Sequence, residues 1–268
     1  MQNDLFGGAF LTDLQNTGKV PSKKRIHMMD EIRGFAVLCM IFYHGFYTLA
    51  YLYHIEWGMI LLRFFMPAEP FFAALFIFIS GISSDLSRSN LRRGIKLFGV
   101  ALAVTLVTFL VVPEEIITFG ILHFLSICMI LFGLLKPLLD KLPFSWGWIV
   151  LMAFLFAFTY PIGRGYLGFG SYPIISLPET LYQINWLFPI GIYTPDFRSS
   201  DYFPLFPWIF VFFAGTMLGR FAAEERFPSF MYKSRVKALS WMGRHALILY
   251  VVHQPVIYGI AALLSWFL

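Results

Sequence analysis

Seven apolar runs, most of them near the roughly 20 residues that a bilayer-crossing helix requires, leave this chain few folds to choose from. They are Ile32–Tyr53, Phe71–Ser84, Leu97–Val112, Ile116–Leu135, Phe144–Ile162, Leu205–Gly219 and Ala246–Leu268, the shorter ones extending into their flanks. Backbone N–H and C=O groups in lipid must be satisfied within the segment itself, so such runs are helices. Of the 268 residues 59% are hydrophobic and 13% charged, against about a quarter charged in soluble domains. The sequence therefore predicts an all-α integral membrane protein, a polytopic bundle of about seven transmembrane helices, multi-pass in a cell membrane.

Lys and Arg fall unevenly between the runs. Seventeen of the 20 lie before the first or at its N-terminal end (Arg33), between the second and third, between the fourth and fifth, or between the sixth and seventh; Arg63, Arg164 and Arg198 lie on the alternate side. The positive-inside rule then sets the N-terminus in the cytoplasm and the C-terminus outside. The net charge of +5 reflects this topology and anionic headgroups, so the lipid bilayer is the expected partner and nucleic acid is not. The basic cluster Lys23-Lys24-Arg25 abuts a full-length apolar run and not a short signal-peptide core, so Ile32–Tyr53 is expected to remain in the mature chain. With no internal linker or repeat, the organisation reads as a cytoplasmic tail over 1–25 and a single transmembrane domain over 26–268. Cys39 and Cys128 both fall inside apolar runs and read as packing residues, not as a disulfide. The stretch Gly163–Pro204, rich in Gly, Pro, Tyr and Trp, reads as a lid on the outer membrane surface. Pro67-Ala68-Glu69-Pro70 reads as the start of the second span, delivering Glu69 to the outer interface.

Polar residues inside apolar runs are costly and mark function. Asp30, Arg33 and His44 share one helical face; His44 stands roughly 21 Å along the helix from Asp30, and His54 roughly 15 Å further, at the outer surface beside Glu56. His123 and His253 are the other intramembrane imidazoles. In His253-Gln254-Pro255 the proline frees a carbonyl in the preceding turn, and two polar side chains need partners. Asp201 stands at the outer end of the sixth span. The plainer reading is that a polar residue at a helix crossing bonds a neighbouring helix, that Asp30 and Arg33 form an interfacial ion pair, and that His54 is a solvated loop histidine. His44 resists it most. Neither paired histidines with metal-ligand spacing nor a phosphate-binding glycine loop is present in the sequence, so no metal site is expected.

Taken in order, Asp30-Glu31-Ile32-Arg33-Gly34 with His44, Leu75-Phe76-Ile77-Phe78-Ile79-Ser80-Gly81, Phe119-Gly120-Ile121-Leu122-His123, Asp201 to Trp208, and Gly243-Arg244-His245-Ala246 through His253-Gln254-Pro255 form a recognisable series. The chain resembles the catalytic domain of heparan-alpha-glucosaminide N-acetyltransferase and its bacterial relatives, within a wider group of transmembrane acyltransferases. The resemblance implies transfer of an acyl group, acetyl or another, from cytoplasmic acyl-CoA to an amine or hydroxyl of an extracytoplasmic sugar or glycan, with no metal; by analogy it also suggests a homodimer. The family's catalytic histidine falls on His54, while His44 stands where animal members carry Asn and His123 where they carry Gln. The expected roles are His54 as general base or acyl-accepting nucleophile, with His44, Asn185 or Asp201 orienting it or stabilising the oxyanion, His44 foremost, and Asp30 in the catalytic set. Arg33, His123, Asp201, His253 and Glu69 are expected at the substrate, and Arg92, Arg93 and Arg244 at the CoA phosphates.

Two other readings compete. A small-molecule transporter or flippase would use the histidines as a proton relay and predicts substrate movement without CoA. In a non-catalytic membrane subunit, replacing His44 and His54 by alanine would change stability and no turnover.

Overall fold

A computed structural model describes residues 24–264. Most of the N-terminal tail, with Lys19 and Lys23, and the last four residues of the seventh apolar run lie outside the described residues. Among the described residues seven helical segments are long and apolar enough to cross a bilayer, so the chain is a predominantly helical, multi-pass membrane bundle of the all-α class. Helix α1 (His27–Tyr47) continues through a π-helical turn (Thr48–Leu52). Next come α2 (Glu56–Phe65), α3 (Glu69–Asp85), α4 (Asn90–Val111), α5 (Ile121–Leu139), α6 (Trp146–Thr159), α7 (Leu205–Ala223), the short α8 (Lys237–Arg244) and α9 (Ala246–Leu264). Most helices extend beyond their apolar runs at the end rich in Lys and Arg, where the added polar residues pair: Asp30 with Arg25 and Arg33, and Asp85 with Lys136. That end of the bundle is its basic face.

The second span differs most from expectation. Helices α2 and α3 together form one 30-residue crossing, Glu56–Asp85, broken by a 3-10 turn at Met66–Ala68. Helix α2 runs back alongside the end of α1, with Phe65 against the rings of Phe42 and Phe46 and Gly58 against Leu49 and Ala50. Arg63 therefore belongs to a helix and not to an outer loop, and Glu69 is not at the outer interface: it sits at the break, roughly 24 Å from Asp85 along α3. Pro67 and Pro70 occur where a helical first turn tolerates them, and that first turn lies at membrane depth.

Helices α3, α5 and α7 enclose the main core, in which Ile77, Phe124 and Phe212 are fully buried. Close approach of backbones, which small residues permit in membranes, sets the crossings. A Cβ on Gly81 would lie 2.1 Å from the Phe212 carbonyl oxygen, and one on Gly215 2.2 Å from that of Phe78. On the basic face α8 lies against the start of α1, anchored by Glu31. Its buried carboxylate accepts the backbone N–H groups of Arg235 (2.7 Å) and Val236 (3.0 Å), where the chain enters α8.

The stretch expected as a lid holds an antiparallel hairpin, β1 (Tyr166–Phe169) and β2 (Tyr172–Ser176), and two 3-10 turns. Its last part turns into the bundle. Ser200 N–H bonds the Ile116 carbonyl and Phe203 N–H that of Phe119, both at 3.1 Å, so residues 199–203 are laced to the entry of α5. Cys39 and Cys128 are both free thiols, Cys128 fully buried, in line with a packing role.

Candidate active site

The inward dip of residues 199–203 drives a carboxylate into the bundle. Asp201 Oδ2 accepts the N–H of Ile121 at 3.0 Å, at the N-terminal end of α5 where the helix dipole favours negative charge, and also the Tyr250 hydroxyl of α9. Burial pushes this carboxyl above its ordinary value; the bonds from Tyr250 and Ile121 and the nearby His253 and His123 act in the opposite direction.

Two cavities meet around it. An inner cavity of about 240 Å³ runs between α1 and α3 and is lined by Met40, Tyr43, His44, Glu69, Phe76 and Asp201, among others. A side cavity of about 310 Å³ lies between α1, α4 and α9 and reaches His253, Gln254 and Tyr258. Tyr43, His44, Ser200, Asp201 and Tyr250 line both. Nδ1 of His44 is 3.0 Å from the Gln254 side-chain nitrogen, and the His44 and His253 rings are 4.9 Å apart. His253 Nδ1 is 2.5 Å from the Tyr250 carbonyl oxygen, a contact in which the ring nitrogen is the donor. That leaves the lone pair on Nε2, which is buried and has no hydrogen-bond partner among the described residues. In the complementary arrangement His44 Nδ1 accepts from the Gln254 amide, and the proton sits on Nε2. One imidazole is poised as acceptor and the other as donor.

A third cavity, about 610 Å³, opens on the basic face and is lined by Lys24, Arg25, Asp30, Arg33, Arg93 and Arg244, with Ser80 and Ser83. Arg33 is held by Asp30 (3.1 Å) and Ser83 Oγ (2.5 Å). Arg93 and Arg244 form no ion pair among the described residues. Along α1 the lining passes from Arg33 of this basic cavity to Ala36 of the inner one, and along α3 from Ser80 to Phe76, so about one helical turn, roughly 5 Å, separates the two.

The residues expected at the site are thus divided. His44, Glu69, Asp201 and His253 gather around the two joined cavities; Asp30, Arg33, Arg93 and Arg244 line the basic one; Arg92 is exposed and lines none of the three. His123 is committed to structure: the Gly120 N–H donates to its Nδ1 (3.3 Å) and its Nε2 meets Thr105 Oγ1 (3.2 Å), beside the cavities but lining none. His54 stands exposed just past the π-helical turn with φ 52°, also outside all three. Asn185 Oδ1 accepts the N–H (3.2 Å) and hydroxyl (2.7 Å) of Thr194 in the loop before α7 and lines none of the three cavities. Sequence reasoning passed over Tyr43 and Tyr250. For Tyr250 the available signal was that a hydroxyl buried in a span needs a partner, here Asp201.

The family model described as "Heparan-alpha-glucosaminide N-acetyltransferase, catalytic" matches residues 25–255. The chain belongs to this family. A membrane acyltransferase-type function follows from that membership. Neither the curated proteins nor the solved structures contain a match to this chain. The matched stretch takes in the whole lining of the inner cavity, all but Tyr258 of the side cavity and all but Lys24 of the basic cavity, and ends at Pro255, just past His253 and Gln254.

Proposed function

We propose that the protein transfers an acyl group from acyl-CoA, held at a cytoplasmic basic face, to an amine or hydroxyl of a sugar-bearing acceptor that comes from the lipid or from the outer side. The observation that carries this reading is the alignment of the basic cavity with the inner cavity, about one helical turn apart along α1 and α3. Charge sorts the donor: Lys24, Arg93 and Arg244 face the CoA phosphates, while no Lys or Arg lines the inner or the side cavity. The pantetheine arm then extends past Phe76 and Met40 and sets the thioester beside His44.

His253 acts as general base and His44 as electrophile. The acceptor's O–H or N–H gives its proton to His253 Nε2, and the acceptor attacks the thioester carbonyl. His44 Nε2–H donates to the oxygen as negative charge develops there. The C–S bond breaks, the sulfur leaves with the electron pair, and the proton on His253 goes to it. The products are the acylated acceptor and free CoA. Asp201 holds Tyr250, whose carbonyl orients His253. Family resemblance places the base at His54 instead, on the outer rim.

The experiment is CoA release by purified protein in lipid nanodiscs, with and without amino-sugar and hydroxyl acceptors, comparing wild type with His44→Ala, His253→Ala and His54→Ala. Acceptor-dependent release that falls by about 10²-fold or more in the first two variants supports this mechanism. A comparable loss confined to His54→Ala returns the base to His54. Absence of CoA binding with a panel of acyl chains favours the transporter.

A further inference from the structure

The side cavity has an open wall. Helix α9 packs on α1, on its π-helical turn and on α8, and no comparable packing among the described residues joins it to α4. Val107 of α4 and Val251 of α9 line this cavity and are also 58% and 39% exposed on the outside of the bundle. Val107 lies 17 residues into α4 from Asn90, roughly 25 Å, and Pro255 nine residues into α9, roughly 14 Å, so the gap lies between membrane-embedded segments and faces hydrocarbon. The walls are those of an alkyl site, formed by Val100, Val104, Val107, Val112 and Val251. At about 310 Å³ the volume is at the lower end of ligand pockets, suited to a single chain. The polar end holds His44, Asp201, Glu115, His253 and Gln254, with no Lys or Arg.

We propose that the side cavity is a lateral portal through which the alkyl chain of a membrane lipid enters from the bilayer, bringing an uncharged sugar or amine head group to His253 and Asp201. A water-borne acceptor has no use for an opening onto hydrocarbon. A donor chain arriving through the basic cavity does not require the α4–α9 wall to be open. A phosphate head would meet the carboxyls of Asp201 and Glu115 with no lysine or arginine to neutralise it. The role of this lipid as acceptor rests on the acyltransferase reading; its binding does not.

The test uses nanodiscs doped with an alkyl glucoside carrying a diazirine in its chain, and in parallel the alkyl phosphate of the same chain length, with labelled residues mapped by mass spectrometry. The glucoside is expected to label Tyr47, Thr108 and Tyr258 inside the cavity, about fivefold or more above the phosphate. Ala103→Trp at the mouth is expected to cut that labelling about tenfold, equivalent to about 1.4 kcal/mol, while label on the outward Leu102, Leu106 and Val252 persists. Val107→Trp serves if Ala103→Trp does not elute as the native protein does. Label confined to outward residues, interior label indifferent to both tryptophans, or equal labelling by the phosphate overturns the proposal. Displacement of interior label by decanoyl-CoA assigns the cavity to the donor's chain and also overturns it. Interior labelling without any CoA release would sink the acyltransferase reading and leave the portal standing; CoA release onto soluble sugars without interior labelling would do the reverse.

Discussion

Nδ1 of His44 and the side-chain amide of Gln254 meet at 3.0 Å across the α1–α9 seam, 210 residues apart in sequence, and this contact fixes which face of the imidazole looks into the cavities. Gln254 is thus a positioning residue. Gln254→Leu is expected to lower kcat about 10- to 100-fold while leaving KM for acyl-CoA within about twofold, since the donor phosphates bind elsewhere. Gln254→Asn, too short to reach His44, is expected to behave likewise. Steady-state kinetics with a thermal midpoint on each variant tests this: a purely structural role would lower the midpoint and leave kcat per folded molecule unchanged.

The arginines of the basic face separate by position. Arg93 and Arg244 line the basic cavity, and Arg92 one residue away does not. Loss of a charge-assisted hydrogen bond to phosphate, about 1.5–3 kcal/mol, predicts that Arg93→Ala and Arg244→Ala each raise KM for acyl-CoA roughly 10- to 100-fold. Arg92→Ala is expected to change it little. Removing the 3′-phosphate from CoA would reproduce part of the loss in wild type and less in the variant whose arginine contacts it. Equal effects at all three positions would mean a diffuse field and not a phosphate site.

The apolar runs reveal the seven crossings because lipid demands them, and His44 stands out for the same reason: an imidazole within 20 apolar residues has few bland explanations. The second crossing hides its length because Arg63, Met66-Pro67-Ala68 and Glu69 interrupt the apolar run, although the chain continues through them as helix, 3-10 turn and helix. Asp201 was visible as a candidate, but its depth was not. That depth comes from backbone bonds between Ser200 and Ile116 and between Phe203 and Phe119, pairings about 84 residues apart that leave no periodicity to read. Pro255 marked the His253–Gln254 pair by freeing a helix carbonyl, whereas the pairing of Gln254 with His44 required α9 to be set against α1.

Asp201 also carries a pH dependence with a defined sign. Its folded value lies above the ordinary 3.8, because burial outweighs the help from Tyr250, Ile121, His253 and His123. A carboxyl raised in the folded state binds more protons folded than unfolded, so its contribution to stability is greatest below 3.8 and is lost as pH rises through the folded value. Asp201→Asn, which keeps an oxygen for Tyr250 and Ile121, is therefore expected to gain on wild type in thermal midpoint as pH rises from about 4 to 7. Thermal unfolding in nanodiscs across that range measures it. A gap that closes as pH rises would show that the buried carboxylate is held charged and that its neighbours, not its burial, set its state.

The crossing of α1 and α8 is the tightest joint on the basic face, and it controls how Arg33 is presented. A Cβ on Gly243 would lie 1.8 Å from the Asp30 carbonyl oxygen, and one on Gly34 1.9 Å from that of Leu239, so each helix is notched for the other. Backbone atoms cannot move aside as a flexible side chain can; the helices must separate. Separation would also pull the Gly243 carbonyl away from the Arg33 guanidinium, now 3.4 Å from it, and loosen the wall of the basic cavity. Gly243→Ala is accordingly expected to cost about 2 kcal/mol or more and to raise KM for acyl-CoA. Gly259→Ala, where a Cβ meets nothing within 4 Å, is expected to be neutral or to stabilise by about 0.5–1 kcal/mol through helix propensity alone. Thermal midpoints of the two alanine variants, measured side by side, separate steric closure from helix propensity, because both replace a glycine near or within a helix and only one of them has a backbone in the way.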